Sequence, residues 1–494
     1  MVTHMEPIHI IGGGLGGLSA AMHLRVRGCP VILHEANERV GGRANLIESL
    51  GCRFDTGPSL LNYPWVFEEW FHAAGVRMAD RLRLRRVEPS VSFRWPDGAS
   101  FTLTTELPAL REEMERLEPG AGLGLMKFLA DAEVKYNFAF RKLVTNNTHN
   151  PIRWFGRLSP SEIAHAALGR SLYGELGRFF KSPRIKEALG SYAMYLGGSP
   201  WSLPGLFSIL PFGELAYGLW LPEGGIYALV EAMARVVRES GVEIRTSARV
   251  RAIECDRGDV RGLRMADGSF EPAGRVVSNV DVPTTWHRLL GRPAPRKPAM
   301  TPGVITGYLV LRRRPEGIGH HTIFLPDRCR DAFDHLNAGP GLPEGLAFYT
   351  SLPTDTDPTL APPGFHTLFI LIPTPVLSRM GTPDGPPVVD EARARIFDRL
   401  RSHGCDTRDS DIAHEQFLTP ADWSDRFGLW DGSAFGAAHT MFQLGPFRPP
   451  NRDPATRGLY YVGASTVPGT GMPMVTLGGR MTAETVRADA SGAH

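Results

Sequence analysis

Residues 8–35, IHIIGGGLGGLSAAMHLRVRGCPVILHE, decide the fold class. Residues 8–11 form a short apolar run suited to a buried strand, and residues 31–34 form another. Between them lie Gly12-x-Gly14-x-x-Gly17 and a helical stretch that ends at Gly28. Each glycine has a separate task. Gly12 permits the tight turn out of the strand. Gly14 lets backbone approach a pyrophosphate, with Leu15 and Gly16 opening the helix whose N-terminus faces the anion. Gly17 lets that helix pack close against the strand. Glu35, 23 residues after Gly12, stands where a carboxylate would accept hydrogen bonds from a ribose hydroxyl. Strand, glycine turn, helix, second strand and acid predict a Rossmann-like dinucleotide domain.

Composition narrows the class. The 494-residue chain balances 54 Lys+Arg against 52 Asp+Glu, for a net charge of +2, so bulk charge offers no grip on nucleic acid. With 42% hydrophobic residues, the chain can bury a large core. Only six of the basic residues are Lys, and none follows Lys297. Cys29, Cys52, Cys255, Cys329 and Cys405 are odd in number and widely spaced, which suits a reducing compartment and offers no zinc spacing. The N-terminus shows no cleavable signal pattern, and no uninterrupted apolar run is long enough to span a bilayer. Residues 203–221, LPGLFSILPFGELAYGLWL, come nearest, but Glu214, Pro211 and several glycines interrupt them. They are apolar enough to line a greasy cavity or dip into one leaflet.

Further motifs select among dinucleotides. After Glu35-Ala36 comes Arg39-Val40-Gly41-Gly42-Arg43, a second site of close backbone approach with two guanidinium groups for phosphate charge. Phe54-Asp55-Thr56-Gly57-Pro58-Ser59 follows as strand and turn. This series resembles the flavoprotein superfamily of amine oxidases, carotenoid desaturases and Rab GDP-dissociation inhibitors, which implies FAD. A second GxGxxG in strand-to-helix context is missing, so electrons are expected from the substrate rather than from a bound nicotinamide.

The C-terminus narrows the resemblance. Residues 459–483, LYYVGASTVPGTGMPMVTLGGRMTA, contain a strand, the small pair Gly463-Ala464, a bend at Gly469-Thr470-Gly471-Met472-Pro473, and a helix with Gly478, Gly479 and Ala483 on it. This segment is similar to the flavin-end motif of bacterial-type carotenoid (phytoene) desaturases. Residues 196–200, 320–323, 357–364, 432–435 and 447–453 resemble that family in the same order. One departure stands out: Val467 replaces the His of the family's usual Thr-His-Pro-Gly.

The resemblance implies an α/β fold with a discontinuous FAD domain, an inserted β-rich substrate domain and a helical cap. The expected division is 1–85, 222–290 and 415–494 for FAD, 86–130 and 291–414 for substrate, and 131–221 for the cap. It implies FAD contacts at Gly12, Gly14, Leu15, Gly16, Gly17, Glu35, Ala36, Gly41, Gly42, Arg43, Gly57, Pro58 and Ser59, through the backbone at Val250, and at Gly463, Ala464, Gly471, Met472, Pro473 and Val475. It implies a lipophilic carotenoid substrate, hydride transfer to flavin N5, oxygen or a membrane quinone as electron acceptor, and a cytoplasmic enzyme attached to one face of the cell membrane.

No residue stands out as a base. Arg157 and Glu214 are candidates near the apolar insert, although a surface role suits each. Trp220 falls where the family places a residue near the flavin. His320 and His321 lack metal spacing, and on one strand they would point to opposite faces, which predicts structural roles. Trp201, Phe207, Leu210, Phe212 and Tyr217 are candidates for a tunnel wall. Three alternatives are a carotenoid isomerase of the same fold, a flavin amine oxidase and a non-catalytic lipid-binding escort. The lack of Lys after Lys297 counts against the amine oxidase, and the intact glycines count against the escort.

Overall fold

The computed structural model describes residues 6–293, 298–381 and 385–491. Lys297 lies outside the described residues. The nucleotide strand Ile8–Ile11 is the centre of a five-stranded parallel sheet. Val31–His34 and then Glu243–Arg245 flank it on one side; Val276–Ser278 and then Leu459–Tyr461 flank it on the other. Five segments far apart in sequence thus meet in one sheet. A purely parallel sheet must be covered on both faces. Helices Leu15–Val26 and Ile226–Glu239 pack together in one core, and a three-stranded antiparallel meander, Val250–Asp256, Asp259–Met265 and Phe270–Pro272, contributes to another. The Asp267-Gly268 turn closes the meander's second hairpin as its sequence predicts.

The C-terminal helix Met472–Ser491 crosses the nucleotide helix at close range. Gly479 makes this possible, because a Cβ there would collide with Ser19 and the Ala20 backbone. The Ser19 hydroxyl donates to the Thr476 carbonyl at 2.6 Å across the same crossing. Helix Ile226–Glu239 begins at Gly225, which has no side chain to cap it. Asp55 supplies the cap from a distance, accepting from the Ile226 and Tyr227 N–H groups at 2.7 and 2.8 Å. Burial pushes the Asp55 carboxyl up to about 6.

A second, seven-stranded mixed sheet runs in the order Ile412–Leu418, Gly303–Leu311, His366–Thr374, Phe348–Ser351, His321–Phe324, Val91–Arg94 and Ser100–Leu103. The position expected to end the substrate segment, 414, falls inside its edge strand Ile412–Leu418. Helices including Ala121–Phe138, Pro183–Gly190 and Ile209–Tyr217 join the core against this sheet. Segment 203–221, apolar in sequence, divides into a short 3-10 turn, a nine-residue helix that stops at Gly218, and strand Leu219–Pro222. Among the described residues no helix is long and apolar enough to cross a membrane. The five cysteines are unpaired.

Candidate cofactor and substrate site

One cavity runs between the two sheets. At its nucleotide end it is lined by Gly14, Leu15, Gly16, Gly41, Gly42 and Arg43, and Gly57, Pro58 and Ser59 continue the lining to the seven-stranded sheet, where Ser59 meets Tyr349. Two helix N-termini open onto it. The nucleotide helix starts at Gly14 with no side-chain cap and no acid in its first turn, so its first N–H groups and positive dipole end are left for a ligand. Gly471, Met472, Pro473 and Val475 bring the start of the C-terminal helix to the same cavity, and Gly463 and Ala464 line it beside them.

The glycines keep this cradle free of side chains. A Cβ at Gly14 would stand 2.7 Å from Asn279 Nδ2, and one at Gly42 would press on the Gly14 Cα. Gly41, Gly463 and Gly471 have φ of 129°, 128° and 109°, values that L side chains rarely adopt. Gly12 and Gly17 lie behind the lining; a Cβ at Gly17 would overlap the Gly12 carbonyl oxygen. That is the close helix–strand contact the spacing demands.

Glu35 is buried at the end of strand Val31–His34 and is not itself in the cavity wall. Its carboxylate accepts from the Gly13 N–H at 2.7 Å and from the Asn37 backbone and side chain at 2.9 Å each. Ala36 follows it outside the lining, and Val250 sits in the meander's core. Arg43 reaches the Ala434 carbonyl at 2.7 Å. Asp281 lines the cavity and accepts from Ser465, while burial pushes its carboxyl upward against the pull of Ser465 and Arg43. Among the described residues Arg43 and Asp281 are the charged side chains of this lining.

Arg448 sits just behind it, fully buried. Its guanidinium donates to the carbonyls of Thr466, Gln443, Ala437, Ala438 and Ala464, tying the loop at 437–448 to the segment before the flavin-end bend. His439, on that loop, faces the bend and accepts from the Thr470 N–H at 3.4 Å. Burial holds its imidazole well below the usual range, and so neutral.

Beyond the bend the walls are apolar. Leu143, Trp154, Phe155, Phe207, Leu210 and Leu336 are representative. Of the aromatic and aliphatic residues singled out in sequence, Phe207 and Leu210 line the cavity. Phe212 is core, Trp201 packs on Tyr173 and Phe333, and Tyr217 is half-exposed. Trp220 is outside the lining, its indole N–H donating to the Tyr217 carbonyl at 2.9 Å. Arg157 is exposed and also outside the lining.

Glu214 departs from the surface role its charge suggests. It is buried behind the cavity residues Tyr192 and Tyr195, and burial pushes its carboxyl up to about 8 against the pull of the Tyr192 and Ser90 hydroxyls. The expectation for the paired histidines is also corrected. The strand begins at His321, so His320 precedes the pleat, and the two rings lie 4.1 Å apart instead of on opposite faces.

Away from the cavity, His9, His34 and Glu271 cluster although no spacing in the sequence points to it. The two imidazoles are hydrogen-bonded at 3.0 Å, and Arg245 holds Glu271 at 2.9 Å, so the trio is closed by its own partners. Sequence reasoning also passed over Asn279 and Asp281 as site residues. Their signal was present: they follow strand Val276–Ser278 at its carboxyl end, where parallel sheets bind ligands.

Residues 15–487 match the family described as flavin containing amine oxidoreductase. It is 36% identical to a zeta-carotene-forming phytoene desaturase of Myxococcus xanthus, covering 98% of this chain and 94% of that one. It is 31% identical to a carotenoid 3,4-desaturase of Haloarcula japonica, covering 98% of each. The chain belongs to the carotenoid (phytoene) desaturase family of flavin-containing oxidoreductases. It is also 33% identical to a 4,4'-diapolycopene oxygenase of a Methylomonas species, over 98% of each chain. Among solved structures, cyclohexylamine oxidase from Brevibacterium oxydans shares the fold, with a TM-score of 0.59 at 16% identity, over 98% of this chain and 99% of that one.

As a member of the carotenoid desaturase family, the protein is an FAD-dependent oxidoreductase acting on CH–CH groups. Its residues fit FAD: an uncapped helix start and bare glycine cradle suit the pyrophosphate, and Arg43 supplies charge nearby. The second helix start, at Gly471–Val475, is available to the flavin end.

Proposed function

We propose that this enzyme desaturates a carotenoid, a long apolar polyene such as phytoene, neurosporene or a hydroxylated carotenoid. The observation that carries it is the continuity of one cavity from the nucleotide cradle, past the flavin-end bend, into walls without charge. Beyond Asp281 the described lining offers no carboxylate to pair with an ammonium group, which favours a hydrocarbon over an amine. The bound flavin supplies the hydride acceptor. The chain's own work is to hold the polyene by shape, exclude water and place one C–H beside the bend.

Entry from a membrane fits the surface. Ile152, 84% exposed, and Phe447 lie on the segments of Trp154 and Pro446, which line the cavity, and these segments pack on one another. Exposed apolar groups at a cavity mouth suit monotopic attachment to one leaflet, with oxygen or a membrane quinone taking the electrons. Flotation with liposomes tests this. Wild type should float with the vesicles, and I152D should float several-fold less, since it removes about 1 kcal/mol of apolar transfer. Wild type remaining wholly in the dense fraction would exclude attachment.

The decisive experiment incubates the FAD-loaded enzyme with liposome-embedded phytoene, neurosporene and hydroxylated carotenoids, followed by pigment chromatography. A product with added double bonds is expected. A product of unchanged hydrogen count would instead make the enzyme an isomerase.

A further inference from the structure

A chain of polar groups leaves the cavity wall through the seven-stranded sheet. Ser59, half-buried, and Tyr349 both line the cavity, and their hydroxyl oxygens are 2.7 Å apart. The Tyr349 hydroxyl is in turn 2.6 Å from His321 Nδ1. This contact is built by register. His321 pairs with Ser351 and Ile323 with Tyr349, so His321 and Tyr349 are diagonal neighbours on one face of an antiparallel pair. The His321 ring touches that of His320, and both Nε2 atoms are buried without a partner among the described residues. His320 Nδ1 is 2.6 Å from the hydroxyl of half-buried Thr356, next to exposed Asp355. Polar groups in an otherwise apolar wall cost free energy and need a reason.

We propose that Ser59, Tyr349 and His321 form a relay that takes up the proton lost by the substrate in each desaturation, with His320 and Thr356 as its outlet toward solvent. The inference rests on the desaturation proposed above. Bound FAD would accept the hydride that one substrate C–H bond gives up with its electron pair. The adjacent C–H bond then leaves its electron pair behind as the new C=C bond. Its proton goes to the Ser59 oxygen as the Ser59 proton moves to Tyr349 and the Tyr349 proton to His321 Nδ1. The neighbouring allylic cation makes that C–H strongly acidic, so a weak base in a prearranged wire is sufficient. Burial holds His321 well below the usual range, so its resting imidazole is neutral and its Nδ1 can accept from the Tyr349 hydroxyl. Burial lowers His320, whose ring touches that of His321, to about 4, so it too is neutral at rest and does not retain a proton passed to it.

The test measures anaerobic reduction of bound FAD by liposome-embedded carotenoid in a single turnover. Y349F and H321Q should each slow it by about 100-fold, with FAD content and flavin midpoint potential unchanged. S59A should slow it, and S59T, which restores the hydroxyl, should recover most of the rate. Wild type should slow in D2O, and Y349F should lose that solvent isotope effect. Rates within about twofold of wild type for both Y349F and H321Q, with the isotope effect retained, would overturn the relay while leaving desaturation intact. Should a variant fail to fold, ring-15N-histidine spectra of the wild-type holoenzyme decide independently of turnover. His321 Nδ1 is expected as a hydrogen-bond acceptor, and a protonated Nδ1 at rest would exclude it as the proton's destination. Absence of any desaturated product from wild type would refute the function proposed above, not the resting hydrogen bonds.

Discussion

The two ends of the cavity are built on opposite principles. The nucleotide end is made of backbone: Gly14, Gly41, Gly42 and Gly463 present bare Cα atoms, and the few charges gather there. The substrate end is made of side chains, apolar ones from segments as distant as Leu143, Phe207 and Leu336. A phosphate group can be recognised by fixed local geometry, since dipoles and N–H groups are the same in every chain. A hydrocarbon offers no such handle and must be recognised by the shape of an assembled wall. The first kind of site tolerates almost no added atom; the second tolerates exchange of one apolar group for another.

Four substitutions test that contrast, in order of expected effect. Beside the segment leading into the 469–473 bend, R448M removes a buried guanidinium and strands the carbonyls it serves. It should cost about 5 kcal/mol in a denaturant titration and release FAD; full stability would show that the loop holds itself. G17A forces a Cβ into the Gly12 carbonyl. A loss of about 4 kcal/mol is expected, with flavin absorbance absent from the purified protein; retained yellow colour would break the backbone account.

E214Q probes the other wall. The folded protein keeps Glu214 protonated up to about pH 8, whereas the unfolded chain ionises near the ordinary 4.5. The unfolded state therefore loses its proton first, and wild-type stability falls as pH rises from 5 to 8. E214Q should remove about 3 kcal/mol of that decline, seen as a melting-temperature gap that widens with pH; parallel curves would mean that Glu214 ionises in place. L210N should be the mildest. It should cut carotenoid turnover about tenfold, with FAD content unchanged, while L210M stays near wild type. Equal losses for both would mean that exact shape, not apolarity, governs the wall.

The nucleotide half was legible because its constraints are local. Gly12, Gly14, Gly17 and Glu35 lie within 23 positions, and each glycine answers a need of the backbone beside it. The Asp267-Gly268 turn and the helix-crossing Gly479 were legible for the same reason. Asn279 was missed although its place after strand Val276–Ser278 is a recognised ligand position, because one polar residue carries no spacing. Trp220 and Arg157, plausible by neighbourhood in sequence, stand outside the lining because chain proximity does not specify which way a side chain faces. His320 and His321 misled for a related cause: the period-two rule holds only inside the strand, and the strand begins at the second of them.

By itself, then, the sequence determined the cofactor class, the parallel nucleotide sheet and the family, since these depend on backbone demands repeated at short range. Tertiary structure alone decided which apolar residues form the tunnel and that Glu214 is buried. It also joined Ser59 to Tyr349 across 290 positions. A hydrogen bond of that span is made by the register of one sheet against a loop far from it in sequence, and no local spacing encodes it.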